Sequence, residues 1–206
     1  MENQTLQSFL DTLAGDSATP GGGSVAALNG AMGAALVSMV CRLTIGREKY
    51  AKFDAEMREI LQKSEALRTQ LLALMTADVA AFDGVMAAFG MPKNTDAEKS
   101  ARRHAIQAAL KEATRVPLET ARACAAVIAL AKPVAENGNP NVASDAGSAA
   151  QSALAGLNSA ALNVKINLAS LKDEAFVAET VAALANITKN AAATAAEIYA
   201  TAEARM

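Results

Sequence analysis

Residues Val25–Cys41 read Val-Ala-Ala-Leu-Asn-Gly-Ala-Met-Gly-Ala-Ala-Leu-Val-Ser-Met-Val-Cys, a run without a single charge. A helix that is apolar all the way round is either buried on every side or spans a membrane. This one is built from alanine, glycine and methionine around Asn29 and Ser38. It gains little on transfer to lipid compared with a Leu/Ile/Val run, and a strongly charged segment follows it at once. The run therefore predicts a central buried helix whose small side chains let neighbours pack at short range. The rest of the chain agrees: 52% of its residues are hydrophobic, only 3% aromatic, with alanine throughout. Alanine favours helix, and no alternating run of β-branched or aromatic residues offers a strand. The expectation is an all-α, single-domain bundle over residues 1–206.

Upstream of that helix stands Thr19-Pro20-Gly21-Gly22-Gly23-Ser24. Three glycines in a row raise the conformational entropy that folding must overcome, so they suit a place where backbone approaches something closely. Ser24 occupies the position of an N-cap, and a glycine loop feeding a helix start presents free N–H groups to an anion or a carbonyl. A plain helix–helix turn explains the same residues.

Working outward, Leu6, Phe9, Leu10 and Leu13 space a short amphipathic helix over 5–14, and the second helix runs from Ser24 to about Thr44. A third extends from about Ala51 to Phe89, with Met57, Leu61, Leu67, Leu71, Leu74, Met75, Phe82, Val85 and Phe89 on its inward stripe. Thr95-Asp96-Ala97-Glu98 matches a capping box opening a fourth helix, which Pro117 should kink or interrupt and Pro133 should end. After the turn-rich loop 136–141, a fifth helix reaches about Leu171. A sixth runs from Asp173 to the C-terminus, with Phe176, Val181, Leu184, Ile187 and Ile198 facing in.

Two polar residues interrupt the stripe of the third helix, Ser64 and Asp78. A carboxylate on an apolar face is costly to desolvate, and burial moves its pKa towards neutrality, where a general base works best. A structural partner, such as a helix end or a cation, accounts for Asp78 equally well. Asp83 points to the solvated face. Asn141 or Ser144 can cap the fifth helix, and Asp145 in its first turn suits the helix dipole. Asn163 and Asn167 lie one turn apart on the face of Asp145 but roughly 27 Å along the axis from it. They read as a second contact region, a seam against a partner subunit, or structural hydrogen-bonders.

Other chemistries find little support. A net charge of −2 and the lack of a basic, aromatic-interleaved stripe argue against nucleic-acid binding. One histidine, His104 on a polar helix start, and no cluster at ligand spacing argue against a metal site or a nucleophile–His pair. The glycine loop lacks the Lys-Ser/Thr ending of a P-loop. Cys41 and Cys124, far apart in apolar context, suggest buried free thiols in a reducing compartment, the cytoplasm. The segment Met1–Leu6 has no basic region followed by an apolar core, so a signal peptide is not expected.

Taken together, Pro20–Ala27, Asp78–Phe82, Met91–Lys93, Asn141–Gly147 and Asn163–Asn167, in this order and spacing, resemble the cyclodeaminase/cyclohydrolase family of folate enzymes over essentially the whole chain. Leu43–Gly46 and Pro92–Asp96, with the stand-alone length, are most similar to the branch of methenyltetrahydrofolate cyclohydrolases from methylotrophic bacteria. Ser148 replaces the larger apolar residue that the family often has after Asp145-Ala146-Gly147. The resemblance implies a homodimer of long antiparallel helices and a folate pocket near the glycine loop. It places Asp78 at the family's catalytic carboxylate. It also suggests that Pro20, Gly21, Gly22, Gly23 and Ser24 contact the pterin, that Asn141, Ser144 and Asp145 meet its polar edge, and that Lys93, Arg42 or Lys49 meets the glutamate tail. The implied reaction is hydrolysis of 5,10-methenyltetrahydrofolate, which needs no cofactor beyond the folate substrate. Cyclodeamination of formiminotetrahydrofolate is the rival within the family. A non-catalytic helical dimerisation module is the rival outside it, and leaves Asp78 and the triple glycine unexplained.

Overall fold

The computed structural model describes residues 5–206, so Met1–Gln4 of the N-terminal segment lie outside it. Among the described residues every regular element is helical. The α-helices are α1 (Leu6–Leu13), α2 (Gly22–Thr44), α3 (Asp54–Gly90), α4 (Asp96–Asn137), α5 (Ala143–Leu168), α6 (Glu174–Thr188) and α7 (Ala191–Glu203). Short 3-10 turns at Glu48–Phe53 and Pro140–Val142 lead into α3 and α5.

The charge-free run forms the middle of α2, and α3, α4 and α5 all pack on it. Ala26, Ala27, Ala34, Val37, Val40 and Cys41 are wholly buried. Helix α2 and the Glu48–Gly90 stretch are each long and apolar enough to cross a membrane by length and composition, but most of the apolar window of α2 is core. Side-chain contacts fix the directions. Ser24 meets Asp78 and Ser38 meets Ser64, so α3 runs antiparallel to α2. Gly22 lies by Asn163 and Gly33 by Ala149, so α5 is antiparallel to it as well. Gly30 lies by Cys124 while Thr44 meets Asn139, so α4 runs parallel to α2.

Where α2 crosses α5 the two backbones touch. A Cβ on Gly156 would stand 2.7 Å from the Ala26 carbonyl oxygen and 2.9 Å from Cys124 Sγ, and one on Gly30 would stand 2.6 Å from the same sulfur. The core here is thin, and the Cys124 thiol fills it. Burial pushes both Cys41 and Cys124 up to about 12, so both are neutral packing groups.

Five expectations need correction. Ser24 is not the N-cap of α2: Gly21 takes that place, Ser24 is the third helical residue, and its hydroxyl turns to Asp78. Neither Asn141 nor Ser144 caps α5; the Asn139 side chain accepts from Asn141 N–H and so caps the 3-10 turn before it. Helix α4 continues through both prolines to Asn137. Pro117 removes the donor for the Ala113 carbonyl, but Asn167 Nδ2 replaces it at 2.6 Å. The proline at 133 deprives the carbonyl of Ala129, a residue that is exposed. The final helix is broken at Lys189–Asn190, which turns Ala191, Ala195 and Ile198 onto the core and leaves Val181 exposed. Lastly, α3 buries Met57, Ile60, Ser64, Leu71 and Met75, whereas Phe82 and Phe89 are exposed. Helix α2 begins level with Asp78, so the last three turns of α3 extend past it and have no α2 to pack against.

Candidate active site

At the head of α2 the glycine loop, the C-terminal half of α3, Ala113 of α4 and the C-terminal half of α5 enclose a cavity of about 310 Å³. That is the lower end of the size range of small-molecule sites. Its polar lining is Thr19, the backbone of Gly21–Gly23, Asp78, Asn163 and Asn167; its apolar lining includes Phe82, Val85 and Ile166.

Asp78 is the centre of this arrangement. Its carboxylate lies on the first turn of α2, where Ser24 Oγ donates to Oδ2 at 3.0 Å. Gly23 makes that seat possible: a Cβ there would fall 2.0 Å from Asp78 Oδ1 and 2.5 Å from its Cγ. Gly23, the last of the three glycines, is thus a steric requirement of the carboxylate as much as a backbone feature. The first intrahelical bond of α2 runs from Val25 N–H to Gly21 C=O at 3.0 Å and the Ser24 N–H turns to Asp78, so the Gly22 and Gly23 N–H groups are the ones without a helical acceptor. Two influences compete on Asp78. Desolvation raises its pKa and is the larger; the Ser24 hydroxyl and backbone N–H pull it down. The net shift is upward, so the group holds a proton more readily than a free aspartate yet is hydrogen-bonded and oriented as an anion.

Asn163 and Asn167 close the opposite wall. Asn163 Nδ2 donates to Ser159 C=O at 2.9 Å, and Asn167 Nδ2 to Ala113 C=O at 2.6 Å. The sequence marked this pair as polar residues on an apolar helix but did not join them to Asp78, since that join is made by the antiparallel packing of α5 on α2. Thr19, Phe82, Val85 and Ile166 were also not picked out as site residues; apolar side chains on a helix carry no local sign that they line a cavity rather than the core.

Of the other predicted folate contacts, Pro20 is buried behind the loop and follows a cis peptide bond. In a single chain, Asn141, Ser144 and Asp145 stand at the far end of α5 and do not line this cavity. The loop before them is occupied with the C-terminal end of α2: Asn139 N–H donates to Thr44 Oγ1 at 2.9 Å and its Nδ2 to Leu43 C=O at 3.2 Å. Ser144 instead lines a groove with Tyr199 and Glu203. Lys93 is exposed in the turn after α3, roughly 20 Å along that helix from Asp78. Arg42 pairs with Glu65 at 3.3 Å, and Lys49 is exposed, both near the opposite end of α2. His104 and Asp83 are exposed as expected. No group of three or more His, Cys, Asp or Glu poised to hold a metal occurs among the described residues.

A family model described as Formiminotransferase-cyclodeaminase matches residues 5–186. A methenyltetrahydrofolate cyclohydrolase of Methylorubrum extorquens is 53% identical over 204 residues, covering 99% of this chain and 98% of that protein. The formimidoyltransferase-cyclodeaminase of Rattus norvegicus is 36% identical over 201 residues, covering 98% of this chain and 37% of that protein. Among solved structures, formiminotetrahydrofolate cyclodeaminase from Thermotoga maritima superposes with a TM-score of 0.83 at 31% identity, covering 99% of this chain and 96% of that one. With the all-helical architecture and the match over nearly its whole length, the chain belongs to the formiminotransferase-cyclodeaminase family of folate enzymes.

Proposed function

We propose that this protein is a methenyltetrahydrofolate cyclohydrolase, converting 5,10-methenyltetrahydrofolate to 10-formyltetrahydrofolate, with Asp78 as its general base. The carrying observation is the half-buried Asp78 carboxylate, seated on the α2 terminus in a cavity and raised in pKa by desolvation. The substrate carries a positive charge shared by N5, the bridging carbon and N10. An anion in a partly dry site favours that cation and orients a water beside it. The water oxygen bonds to the bridging carbon while Asp78 takes one of its protons. The tetrahedral carbon then collapses: the C–N5 bond breaks, Asp78 returns its proton to N5, and the remaining hydroxyl proton leaves to solvent as the formyl C=O forms on N10. The free N–H groups of Gly22 and Gly23 are suited to the developing oxygen. The exposed row Phe82, Met86 and Phe89 leads along α3 from the cavity towards Lys93, a path suited to the aminobenzoyl-glutamate tail.

The strength of the similarity to the Methylorubrum protein, over the full length of both chains, favours hydrolysis over ammonia release. The test is direct. Purified protein should accelerate the loss of methenyl absorbance in proportion to its concentration and above the spontaneous rate. Ammonia release from formiminotetrahydrofolate without methenyl hydrolysis would assign the rival activity.

The working unit in this reading is a homodimer. Phe82, Met86 and Phe89 repeat at helical spacing on the overhanging part of α3, and Leu162 and Ile166 on α5 are 67% and 71% exposed. Such a face suits a second copy of the chain. Any contribution of Asn141, Ser144 and Asp145 to folate binding would come across that dimer. Sedimentation should give twice the chain mass, and Ile166→Glu should shift it to monomer. The two buried free thiols suit a reducing, cytoplasmic setting.

A further inference from the structure

The interior proline of α4 and the asparagine pair of α5 form one device. Pro117 has no N–H, so the Ala113 carbonyl, four residues back, lacks its helical donor. Ala113 lines the cavity, and its carbonyl accepts from Asn167 Nδ2 at 2.6 Å. Only the NH₂ end of an amide can face a carbonyl oxygen, so the bond fixes which way round Asn167 sits. Its Oδ1, an acceptor without a proton, is the remaining end. Asn163 is oriented in the same manner by the Ser159 carbonyl at 2.9 Å and lies against Gly22. Asn163 and Asn167, one helical turn apart, thus line the same cavity as Asp78, each with its Nδ2 held by a main-chain carbonyl and its Oδ1 left as the acceptor.

We propose that Asn163 and Asn167 are positioning residues whose Oδ1 atoms accept hydrogen bonds from the N–H and amino donors of the reduced pterin ring. In this arrangement Pro117 frees the carbonyl that holds Asn167 in its working orientation. The pair holds the ring so that the bridging carbon faces Asp78. Acceptors suit the donor-rich edge of the ring and leave the cationic bridge to the carboxylate.

This inference rests on the folate reading above and is tested separately from it. The variants are Asn167→Ala, Asn163→Ala, Pro117→Ala and the double variant Pro117→Ala/Asn167→Ala, each assayed by methenyl absorbance and by thermal melting. Pro117→Ala restores the backbone donor to Ala113, so its Tm should equal or exceed that of the unsubstituted protein. Its KM should nevertheless rise by about three- to tenfold, the effect of one neutral hydrogen bond. Asn167→Ala should raise KM by a similar factor, and the double variant should match Asn167→Ala alone rather than multiply the two effects. The pH profile of kcat/KM should keep its acid limb, because Asp78 is untouched. Active unsubstituted protein with KM unchanged in both Asn167→Ala and Pro117→Ala would overturn the inference, as would multiplicative effects in the double variant. Unsubstituted protein with no turnover of the methenyl compound would overturn the cyclohydrolase reading itself.

Discussion

Replacing Gly23 with alanine separates the stability of the fold from the seating of its carboxylate. The backbone at Gly23 is ordinary helix, and Gly46 is the residue with a positive φ among those described. An alanine there raises helix propensity by about 1 kcal/mol. Its methyl carbon would, however, stand 2.0 Å from Asp78 Oδ1 and 2.7 Å from Oδ2. A tolerable carbon–oxygen contact needs a little over 3 Å, so the carboxylate must retreat by roughly 1 Å or swing away from the α2 terminus. A displacement of that size at a reacting group costs about 10²-fold in rate. The expected result is a protein whose Tm changes by no more than a few degrees and whose kcat/KM for 5,10-methenyltetrahydrofolate falls by about 10²-fold. Gly84→Ala, where a Cβ meets nothing within 4 Å, is the matched control and should retain its rate. Full activity in Gly23→Ala would refute the link between the triple glycine and Asp78.

The Ser24 hydroxyl lowers the pKa of Asp78 against the upward push of burial. Ser24→Ala should therefore move the acid limb of log kcat/KM to higher pH, and a limb that stays in place or moves down would contradict this cause. Folding raises the Asp78 pKa above its ordinary 3.8, so the folded state binds a proton more tightly there. Its contribution to stability is thus largest below pH 3.8 and is lost as pH rises through the folded pKa. Thermal melts should show Asp78→Asn gaining stability relative to the unsubstituted protein at neutral pH, with the gain shrinking at acid pH. At the crossing of α2 and α5, Gly156→Ala would drive a methyl group to 2.7 Å from the Ala26 carbonyl and 2.9 Å from Cys124. Urea unfolding should show a loss of about 1–3 kcal/mol, the usual range for overpacking; an unchanged midpoint would mean the helices separate freely.

Much of the fold was legible because α2 is apolar on every side, and only a helix enclosed by others satisfies that pattern. The two defects in the α3 stripe were informative for the same reason: buried Ser64 meets Ser38 at 2.8 Å, and Asp78 meets Ser24. What local pattern did not carry was anything decided by a neighbouring helix. Pro117 reads as a break until Asn167 supplies the missing donor from another element. Phe82 and Phe89 read as inward because their spacing continues the stripe, and nothing in α3 itself records that α2 begins beside Asp78. Asn163 and Asn167 reach Asp78 only through the antiparallel return of α5. Asp145 shares their helix face, and the family resemblance groups Asn141, Ser144 and Asp145 with the folate contacts, yet the length of α5 holds them at its other end within one chain.

The central claim is that the Asp78 carboxylate carries the chemistry. It is tested most directly by the turnover of 5,10-methenyltetrahydrofolate in Asp78→Asn, with circular dichroism showing the helical fold intact. Asparagine keeps the size of the side chain and can still accept from Ser24, but cannot take a proton from water. Turnover should fall by about 10²–10⁴-fold, the range that a general base contributes. Turnover within a fewfold of the unsubstituted protein would contradict the account.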